Sequence, residues 1–278
     1  MTFDFTGKGE VRVTMAHCVD GILSECGVTA KAKTPAASWL FDVRDDQAKA
    51  SKEDAEWFHS YVAKMLWLSK RVRPECLTAV SFLSTRVNNC DEDDLRKLRR
   101  LLGYLRATRE RGVVLRIGDE IGVKAYIDAA YGVHSSSGKS HTGCAIVVGE
   151  AGPVDTKSAK QSITTKSSTE AELVALSDTA SRALHLRNFI IEQGYDVGPA
   201  VIYQDNMSTL ALIKRGRPGA EGSRHIAIRH FWLKERVDSL EVSLEHLGSA
   251  KMGSANMLSK PVQGLQFEQD RDMLTNWY

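Results

Sequence analysis

Apolar residues recur at helical spacing through most of the first 111 positions. In EDAEWFHSYVAKMLWLSKRV, Trp57, Tyr61 and Met65 lie four residues apart, which predicts a long helix. CLTAVSFLSTRV and EDDLRKLRRLLGYLRATRERG predict two further helices, and the acidic start and basic end of the second suit the helix dipole. HCVDGILSECG predicts a short helix that Gly27 ends, VRVTM predicts a short strand, and residues 28–50 are predicted to be a loop. The first part of the chain is therefore expected to be mainly helical.

Near residue 112 the pattern changes to short apolar segments separated by turns. VVLRI and VKAYIDAAY predict strands, TGCAIVVGE is a β-branched run, and VDTKSAKQS predicts a third, edge-like strand. A long helix is predicted from Glu170 to about Gln193, where Gly194 ends it. Beyond it, PAVIYQDN and EVSLEHLGS predict strands, and STLALIKRG, RHIAIRHFWLKERVDSL and MGSANMLSK predict helices. The order β-β-β-α-β-α-α-β-α indicates an α/β fold with a mixed sheet and helices packed on it.

Composition narrows the class of protein without naming a partner. The chain has 278 residues, 42% hydrophobic and 26% charged, which is typical of a soluble globular protein with one large or two ordinary domains. The formal net charge of +2 does not by itself indicate a nucleic-acid or membrane partner. The five cysteines form no C-x-x-C pair, which argues against a zinc site and favours reduced thiols. No apolar run approaches the ~20 residues of a membrane span, and no secretory signal is recognised. A cytoplasmic or nuclear protein, not secreted and without membrane association, is expected.

Three acidic residues occupy positions where metal chemistry is plausible. Asp128 lies inside the apolar segment VKAYIDAAY, Asp205 lies at the carboxyl end of AVIYQD, and Glu172 lies in the first turns of the long helix. Ligand sites of α/β sheets commonly lie at such strand ends. Mg²⁺ prefers carboxylate oxygens, and carboxylates held close together repel unless cations lie between them.

Each of these acidic residues also has a purely structural interpretation. Ser167 and Glu170 fit a capping box, in which Glu170 reaches back to the amide of Ser167. Glu172 fits a second capping frame or a solvated first turn. Asp128 fits a strand-edge residue, and Asp205 fits the N-cap of the helix that follows it. Local rules leave both interpretations open.

The motifs together resemble a known family. YIDAAYGVHS…SHTG, KSSTEAELVALSD, YQDNMSTLALI, RHIAIRHFWLKERV and LSKPVQG resemble, in order and spacing, the ribonuclease H domain of copia-type retrotransposon polyproteins. TPAASW, FHSYVAKMLWLSKRVRPECLTAVSFLS and LRKLRRLLGYLRAT resemble that family's thumb and connection region. The resemblance implies a helical region over residues 1–111 and a ribonuclease H-like domain over 112–278. It implies a mixed sheet of three antiparallel strands followed by parallel strands.

The resemblance also implies a reaction and its residues. Asp128, Glu172 and Asp205 match catalytic carboxylates that hold Mg²⁺, with Mn²⁺ as an alternative, and the substrate would be the RNA strand of an RNA–DNA hybrid. At the fourth catalytic position the family usually has aspartate, whereas this chain has Asn256. Asparagine keeps an oxygen but loses the charge, so a weaker second metal site is expected. The polymerase signature is absent, which implies that the polymerase palm would lie upstream in a longer polyprotein.

Basic residues cluster in two stretches that we expect to contact phosphates. A row of basic residues is usually a solvated face, but beside a nuclease it favours salt-dependent, sequence-independent binding of nucleic acid. The residues expected to contact the hybrid are Arg96, Arg99, Arg100, Arg106, Lys214, Arg215, Arg217 and Arg224. At least one of Phe231 and Trp232 is expected to pack in the core. No role is assigned to His225, His230 or His246.

Two alternatives to an active ribonuclease H remain. A nucleic-acid-binding or structural module that kept the fold and lost catalysis is favoured by Asn256. An integrase or transposase core shares the fold and the metal chemistry, but those enzymes resemble the order Asp, Asp, Glu along the chain. Here the order is Asp128, Glu172, Asp205, which disfavours that alternative.

Overall fold

The computed structural model describes residues 1–119, 121–215 and 224–278. Its strands are β1 (Thr2–Asp4), β2 (Glu10–Thr14), β3 (Val113–Arg116), β4 (Val123–His134), β5 (Lys139–Val148), β6 (Pro153–Lys160), β7 (Ala200–Gln204) and β8 (Val242–His246). Its α-helices are α1 (Ala16–Glu25), α2 (Lys52–Ser69), α3 (Leu77–Ser84), α4 (Glu92–Ala107), α5 (Ser168–Glu192), α6 (Met207–Lys214), α7 (Arg224–Asp238), α8 (Gly253–Ser259) and α9 (Gly264–Thr275). Within these ranges, no helix combines the length and the apolar character that crossing a bilayer requires.

A five-stranded mixed sheet lies at the centre of the second part of the chain. Its strand order is β6-β5-β4-β7-β8. Strands β4, β5 and β6 form an antiparallel meander, whereas β7 is parallel to β4 and β8 is parallel to β7. The short links of the meander allow antiparallel pairing, and parallel β7 follows the long crossover through α5. The predicted ribonuclease H-like sheet, three antiparallel strands and then parallel ones, is confirmed.

The segment VVLRI does not join this sheet, and the predicted strand order from residue 112 is wrong at its first member. As β3, it pairs antiparallel with β2 in a separate sheet of order β1-β2-β3, with Val113 opposite Val13. The antiparallel meander of the main sheet is therefore β4, β5 and β6. Period-two alternation identifies a strand but carries no information about its partner. The boundary at residues 111 and 112 stays a prediction.

Alternate residues of β5 show that both faces of the main sheet are covered. Cys144 and Ile146 pack in a cluster with the buried face of α5. Ala145, between them, packs in a second cluster that contains the helices of the first 111 residues. Met257 of α8 and Leu274 of α9 belong to this second cluster as well. The C-terminal helices and the N-terminal helical region thus share one core.

A buried chain of hydrogen bonds joins the sheet to the N-terminal helices. His134 Nε2 lies 3.0 Å from His141 Nδ1, and His141 Nε2 lies 2.8 Å from the Ser158 hydroxyl. The Phe41 ring packs against both imidazoles, and Ser158 donates to the Thr78 hydroxyl of α3 at 3.4 Å. Burial lowers the pKa of His134 to about 4, so this imidazole is neutral near pH 7. This chain of hydrogen bonds therefore has a structural role.

A buried ion pair lies where α9 meets the N-terminal region. The side chains of Arg73 and Glu75 are 0% and 1% exposed, and Arg73 Nε lies 2.7 Å from Glu75 Oε1. The guanidinium also donates to the Thr108 hydroxyl at 2.5 Å and lies over the Tyr104 ring. Tyr104 in turn contacts Phe267 of α9 edge to face, with 5.6 Å between ring centroids. These contacts make the ion pair part of the shared core.

Candidate metal centre

Two of the acidic residues meet because their strands are parallel. Tyr126 of β4 lies opposite Tyr203 of β7. Asp128 and Asp205 each lie two residues beyond that pair, so they lie side by side, Asp128 in the middle of β4 and Asp205 just beyond the carboxyl end of β7.

The two glutamates of α5 take different positions, as their spacing requires. The Ser167 hydroxyl accepts from the Glu170 amide at 3.2 Å, which confirms Ser167 as the N-cap. The Glu170 carboxylate accepts from the Lys166 amide at 2.8 Å, so the predicted bond to the amide of Ser167 is wrong by one residue. Residues two apart on a helix do not share a face. Glu172 therefore points away from Glu170, and it is buried toward the sheet.

Helix α8 packs directly on β5 because β5 has a glycine beside the site. Gly143 lies opposite Asp128, and a Cβ on Gly143 would lie 2.5 Å from the Ala255 carbonyl oxygen and 2.6 Å from the Ser259 nitrogen. Only glycine permits this approach. The approach brings the Ser259 hydroxyl into hydrogen-bond contact with Asp128, to which it donates. The Lys260 ammonium follows at 3.5 Å from Asp128 Oδ2.

Asp128, Glu172 and Asp205 converge into one cluster. One carboxylate oxygen from each lies within 4.8 Å of the others. Burial, followed by the charge of Asp128, raises the pKa of Glu172 to about 8. Gln204 opposes that rise by donating from Nε2 to Glu172 Oε2 at 3.1 Å. The sheet therefore holds carboxylates together at a cost in charge repulsion.

This donor set fits a divalent cation with a preference for oxygen. Every ligand in the cluster is a carboxylate, as Mg²⁺ and Mn²⁺ prefer, and no thiol or imidazole is among them. Lys260 is the one protein cation within 4.0 Å of the three carboxylates among the residues described. A bound divalent ion would relieve the repulsion that raises the pKa of Glu172.

Asn256 lies beside the cluster but its amide has a different contact. It lies in α8 and is 8% exposed. Its Nδ2 donates to the Ser249 carbonyl at 3.0 Å, and its Oδ1 is buried without a hydrogen-bond partner among the described residues. The Ser249 hydroxyl donates to the carboxylate of Asp205. Asn256 is therefore linked to the cluster through Ser249.

The interpretation of Asp205 as a helix N-cap is wrong. Asn206 caps α6, because its Oδ1 accepts from the Thr209 amide at 3.0 Å. Asparagine and aspartate cap equally well, so the sequence YQDN could not decide between the two positions. The Asp205 carboxylate is left for the cluster and for Ser249.

Comparisons with known proteins agree with the motifs. No family model matches the chain. It is 27% identical over 217 residues to the retrovirus-related Pol polyprotein from transposon TNT 1-94 of Nicotiana tabacum, over 78% of this chain and 16% of that polyprotein. It is 28% and 29% identical over 198 residues to the polyproteins from transposons RE2 and RE1 of Arabidopsis thaliana, over 70% of this chain and 13% of each relative. The chain is a homologue of retrovirus-related Pol polyproteins. It spans only 13–16% of their length.

Three solved structures superpose on part of the chain, each with a TM-score below 0.5. A ribonuclease H1 isolated from compost covers 49% of this Pol homologue with 16% identity and a TM-score of 0.37. The enzyme from Halobacterium salinarum covers 50% with 20% identity and a TM-score of 0.33. A foamy viral protease-reverse transcriptase covers 88% with 12% identity and a TM-score of 0.49, over 29% of that chain. The strand order, and not these scores, identifies the fold.

Four residues that contact the carboxylates were not predicted from the sequence. They are Gln204, Ser249, Ser259 and Lys260. Three of them belong to quoted motifs, Gln204 next to Asp205 in YQDN, and Ser259 and Lys260 within LSKPVQG. Ser249 lies in a 3₁₀ turn, Ser249–Lys251, for which the sequence gives no signal.

Most of the predicted nucleic-acid contacts on α4 have partners within this Pol homologue. Arg96 pairs with Asp93. Arg106 donates to the carbonyls of Val28 and Leu23, each at 2.8 Å. These arginines stabilise the packing of α4, and their contact with nucleic acid stays a prediction.

The other predicted contacts differ in their surroundings. The Arg99 guanidinium lies over the Trp57 ring at 5.8 Å, and Arg100 donates to the Thr34 hydroxyl at 2.7 Å. In the described ranges neither arginine has a carboxylate within 4.0 Å. Lys214 and Arg215 are exposed at the end of α6. Arg217 lies outside the described residues, as do the side chains of Arg224 and His225, the first two residues of α7.

The remaining aromatic and histidine candidates have structural positions. His230 is buried, and its Nε2 lies 3.0 Å from the Leu212 carbonyl oxygen, which joins α7 to α6. Trp232 packs against the core that includes α5, which confirms core packing for one of the two aromatic residues, whereas Phe231 is exposed. His246 ends β8.

The metal-free protein is expected to lose stability as the pH rises from about 5 to about 8. The folded pKa of Glu172, about 8, lies above the ordinary value of 4.5, so between these values the folded state keeps a proton that the unfolded state has released. Stability is then highest below the unfolded pKa and falls by up to about 1.4 kcal/mol per pH unit. Urea unfolding in EDTA at several pH values measures this slope.

Glu172→Gln is the control for this pH dependence. The glutamine cannot ionise, so the variant should gain stability over the wild type as the pH rises, and added Mg²⁺ should reduce the slope of the wild type. Parallel pH profiles for the two proteins in EDTA would contradict the raised pKa.

Proposed function

We propose that the chain catalyses Mg²⁺-dependent hydrolysis of the RNA strand of RNA–DNA hybrids. The observation that carries the proposal is the convergence of Asp128, Glu172 and Asp205, with one oxygen of each within 4.8 Å of the others. The homology to retrovirus-related Pol polyproteins and the ribonuclease H-like sheet support it. We further propose that residues 1–111 form a connection-like region of a longer polyprotein, with a polymerase palm upstream, that works in the cytoplasm or nucleus.

In this proposal the chain positions its carboxylates, and the metal supplies the chemistry. Bound Mg²⁺ would lower the pKa of a water nucleophile and stabilise the charge of the departing oxygen. Asp128, Glu172 and Asp205 would hold the ions. Gln204 keeps Glu172 oriented through its 3.1 Å bond, and Ser259 and Lys260 hold Asp128. Because the carboxylates are fixed before substrate arrives, little reorganisation is needed during the reaction.

A cleavage assay on the whole chain tests the proposal. The substrate is a labelled RNA paired with DNA, and the same RNA alone, the same RNA in an RNA duplex, and a DNA duplex of the same sequence are controls. Cleavage of the hybrid RNA with Mg²⁺ or Mn²⁺, and none with EDTA, is expected. Binding of the hybrid without cleavage under any metal condition would contradict the proposed reaction.

The hybrid is expected to contact α4 through Arg99 and Arg100. Each phosphate contact that is lost reduces the slope of log affinity against log salt by about 0.9. The double variant Arg99→Ala/Arg100→Ala should therefore lower that slope by about 2 and weaken binding about tenfold at low salt. Fluorescence anisotropy with a labelled hybrid over a range of salt concentrations measures both quantities.

Arg71 provides a matched control for these arginines. It is an exposed arginine that lies over the Trp67 ring at 4.3 Å, much as Arg99 lies over Trp57, but it follows α2. Arg71→Ala should leave the salt slope unchanged. Equal losses in Arg71→Ala and in the double variant would show that the effect is general charge and not contact at α4.

Asn256 favours a second candidate function, a nucleic-acid-binding module that has lost catalysis. The neutral amide donates to Ser249 and offers no charge to a metal. In that case the wild type binds the hybrid without cleaving it. Cleavage that appears only in Asn256→Asp would indicate decay from an enzyme, and binding without cleavage in both forms would indicate a binding or structural role.

A further inference from the structure

A single side chain links α8 to the metal centre from outside the carboxylate cluster. Asn256 Nδ2 donates to the Ser249 carbonyl at 3.0 Å, and the Ser249 hydroxyl donates to Asp205. Ser249 begins the 3₁₀ turn after β8, which no side-chain hydrogen bond caps. In the described chain, the amide of Asn256 is thus the side-chain donor that fixes this turn from α8.

A second path reaches the cluster from the same helix but does not use the amide. The main-chain carbonyl of Asn256 accepts from the Ser259 hydroxyl at 3.0 Å, and that hydroxyl also contacts Asp128. This contact joins the Ser259 side chain to the main chain of Asn256, so it survives any substitution of the Asn256 side chain. The two paths therefore lead from one helix to two different carboxylates.

We propose that Asn256 is a positioning residue that holds Asp205 through Ser249, and not a metal ligand. The contact needs a donor, which the amide has and a carboxylate lacks. Aspartate at position 256 would place an ionised oxygen against the Ser249 carbonyl and would lose the bond that fixes the turn. This inference rests on the proposed function, since it assigns Asn256 a part in the same metal centre.

The inference is tested by titrating the whole chain with Mn²⁺ and measuring the binding by calorimetry. Loss of an outer-shell partner weakens metal binding by about 10–100-fold. Ser249→Ala and Asn256→Ala should each weaken Mn²⁺ binding by about tenfold. The double variant should bind about as weakly as the weaker single variant, because both substitutions cut one path.

Two further variants make the test specific. Ser259→Ala cuts the other path, so its effect and that of Asn256→Ala should multiply in the double variant. Asn256→Asp should not tighten Mn²⁺ binding, although it adds a charge. Thermal unfolding of each metal-free variant checks that the fold is kept. If Asn256→Ala fails to fold, Ser249→Ala still tests the same path, because Ser249 is exposed.

Each outcome decides between the alternatives. Tighter Mn²⁺ binding by Asn256→Asp, or multiplying effects of Ser249→Ala and Asn256→Ala, would overturn the inference and leave the metal centre intact. Unchanged Mn²⁺ binding by Ser249→Ala would do the same. A wild type that binds no Mn²⁺ would overturn the proposed function, and the inference with it.

Discussion

Replacing Glu172 by glutamine is expected to lower the rate of hybrid cleavage by about 10³-fold or more. The substitution keeps the size of the side chain and its place beside Gln204 but removes the charge that would hold a divalent ion. A metal ion contributes several kcal/mol to transition-state stabilisation, and each 1.4 kcal/mol is about a factor of ten in rate. Single-turnover cleavage of a labelled hybrid, together with Mn²⁺ titration, measures the loss.

Glu170 is a matched control two residues away on the same helix. Its carboxylate accepts from the Lys166 amide, and glutamine keeps an acceptor oxygen for that bond. Glu170→Gln should therefore cleave the hybrid within about twofold of the wild-type rate. If Glu172→Gln kept more than a tenth of that rate, the assignment of Glu172 to the metal would be wrong. If Glu170→Gln were the inactive variant, the two glutamates would have exchanged roles.

Glu172→Gln also separates stability from activity. The raised pKa of Glu172 shows that its ionised form is disfavoured in the folded protein without metal. The same substitution that abolishes cleavage should therefore stabilise the metal-free protein near pH 8. Such a trade-off between activity and stability is expected at a functional site.

Replacing Glu75 by leucine is expected to lower the free energy of unfolding by about 3–5 kcal/mol. Arg73 is fully buried, and the substitution leaves its charge without a carboxylate. The double variant Arg73→Met/Glu75→Leu removes both charges and should recover most of the loss, because an apolar pair avoids the cost of burying ions. Urea unfolding at pH 7 with EDTA measures all three proteins.

The exposed pair of Lys64 and Glu25 is the control for this buried pair. Their side chains are 40% and 65% exposed, and the charged atoms are 3.0 Å apart. Solvent screens such pairs, so Glu25→Gln should cost less than about 1 kcal/mol. If Glu75→Leu cost no more than Glu25→Gln, or the double variant were less stable than Glu75→Leu alone, the buried pair would not have the role described.

The sequence predicted what local patterns encode. Helical spacing located α2, start and stop signals located α5, and Ser167 was identified as a cap. Asp128 was placed inside a strand and Asp205 at the end of one, as the structure has them. The convergence of Asp128, Glu172 and Asp205 was expected from the resemblance to a ribonuclease H domain, whereas local rules left it open. The helices and the cap depend on residues near each other in the chain, which is why local patterns predict them.

Features that depend on distant pairing escaped prediction. The partner of VVLRI is β2, about a hundred residues earlier in the sequence, and alternation carries no partner information. Ser259 reaches Asp128 because Gly143 lets α8 lie against β5, a fit between three separate segments. The ion pair of Arg96 with Asp93 could not be predicted for a simpler reason. A basic helix has the same sequence whether its arginines contact nucleic acid or a neighbouring carboxylate.

The core that the C-terminal helices share with the N-terminal region determines how much of the sequence must be inherited together. Ala145, Met257 and Leu274 are buried among side chains of the first 111 residues. A recombination event that transferred this part of the chain without the N-terminal helices would leave those three side chains exposed to solvent. A lineage that passed this sheet from one polyprotein to another would therefore have to transmit the helices that cover it in the same piece of DNA.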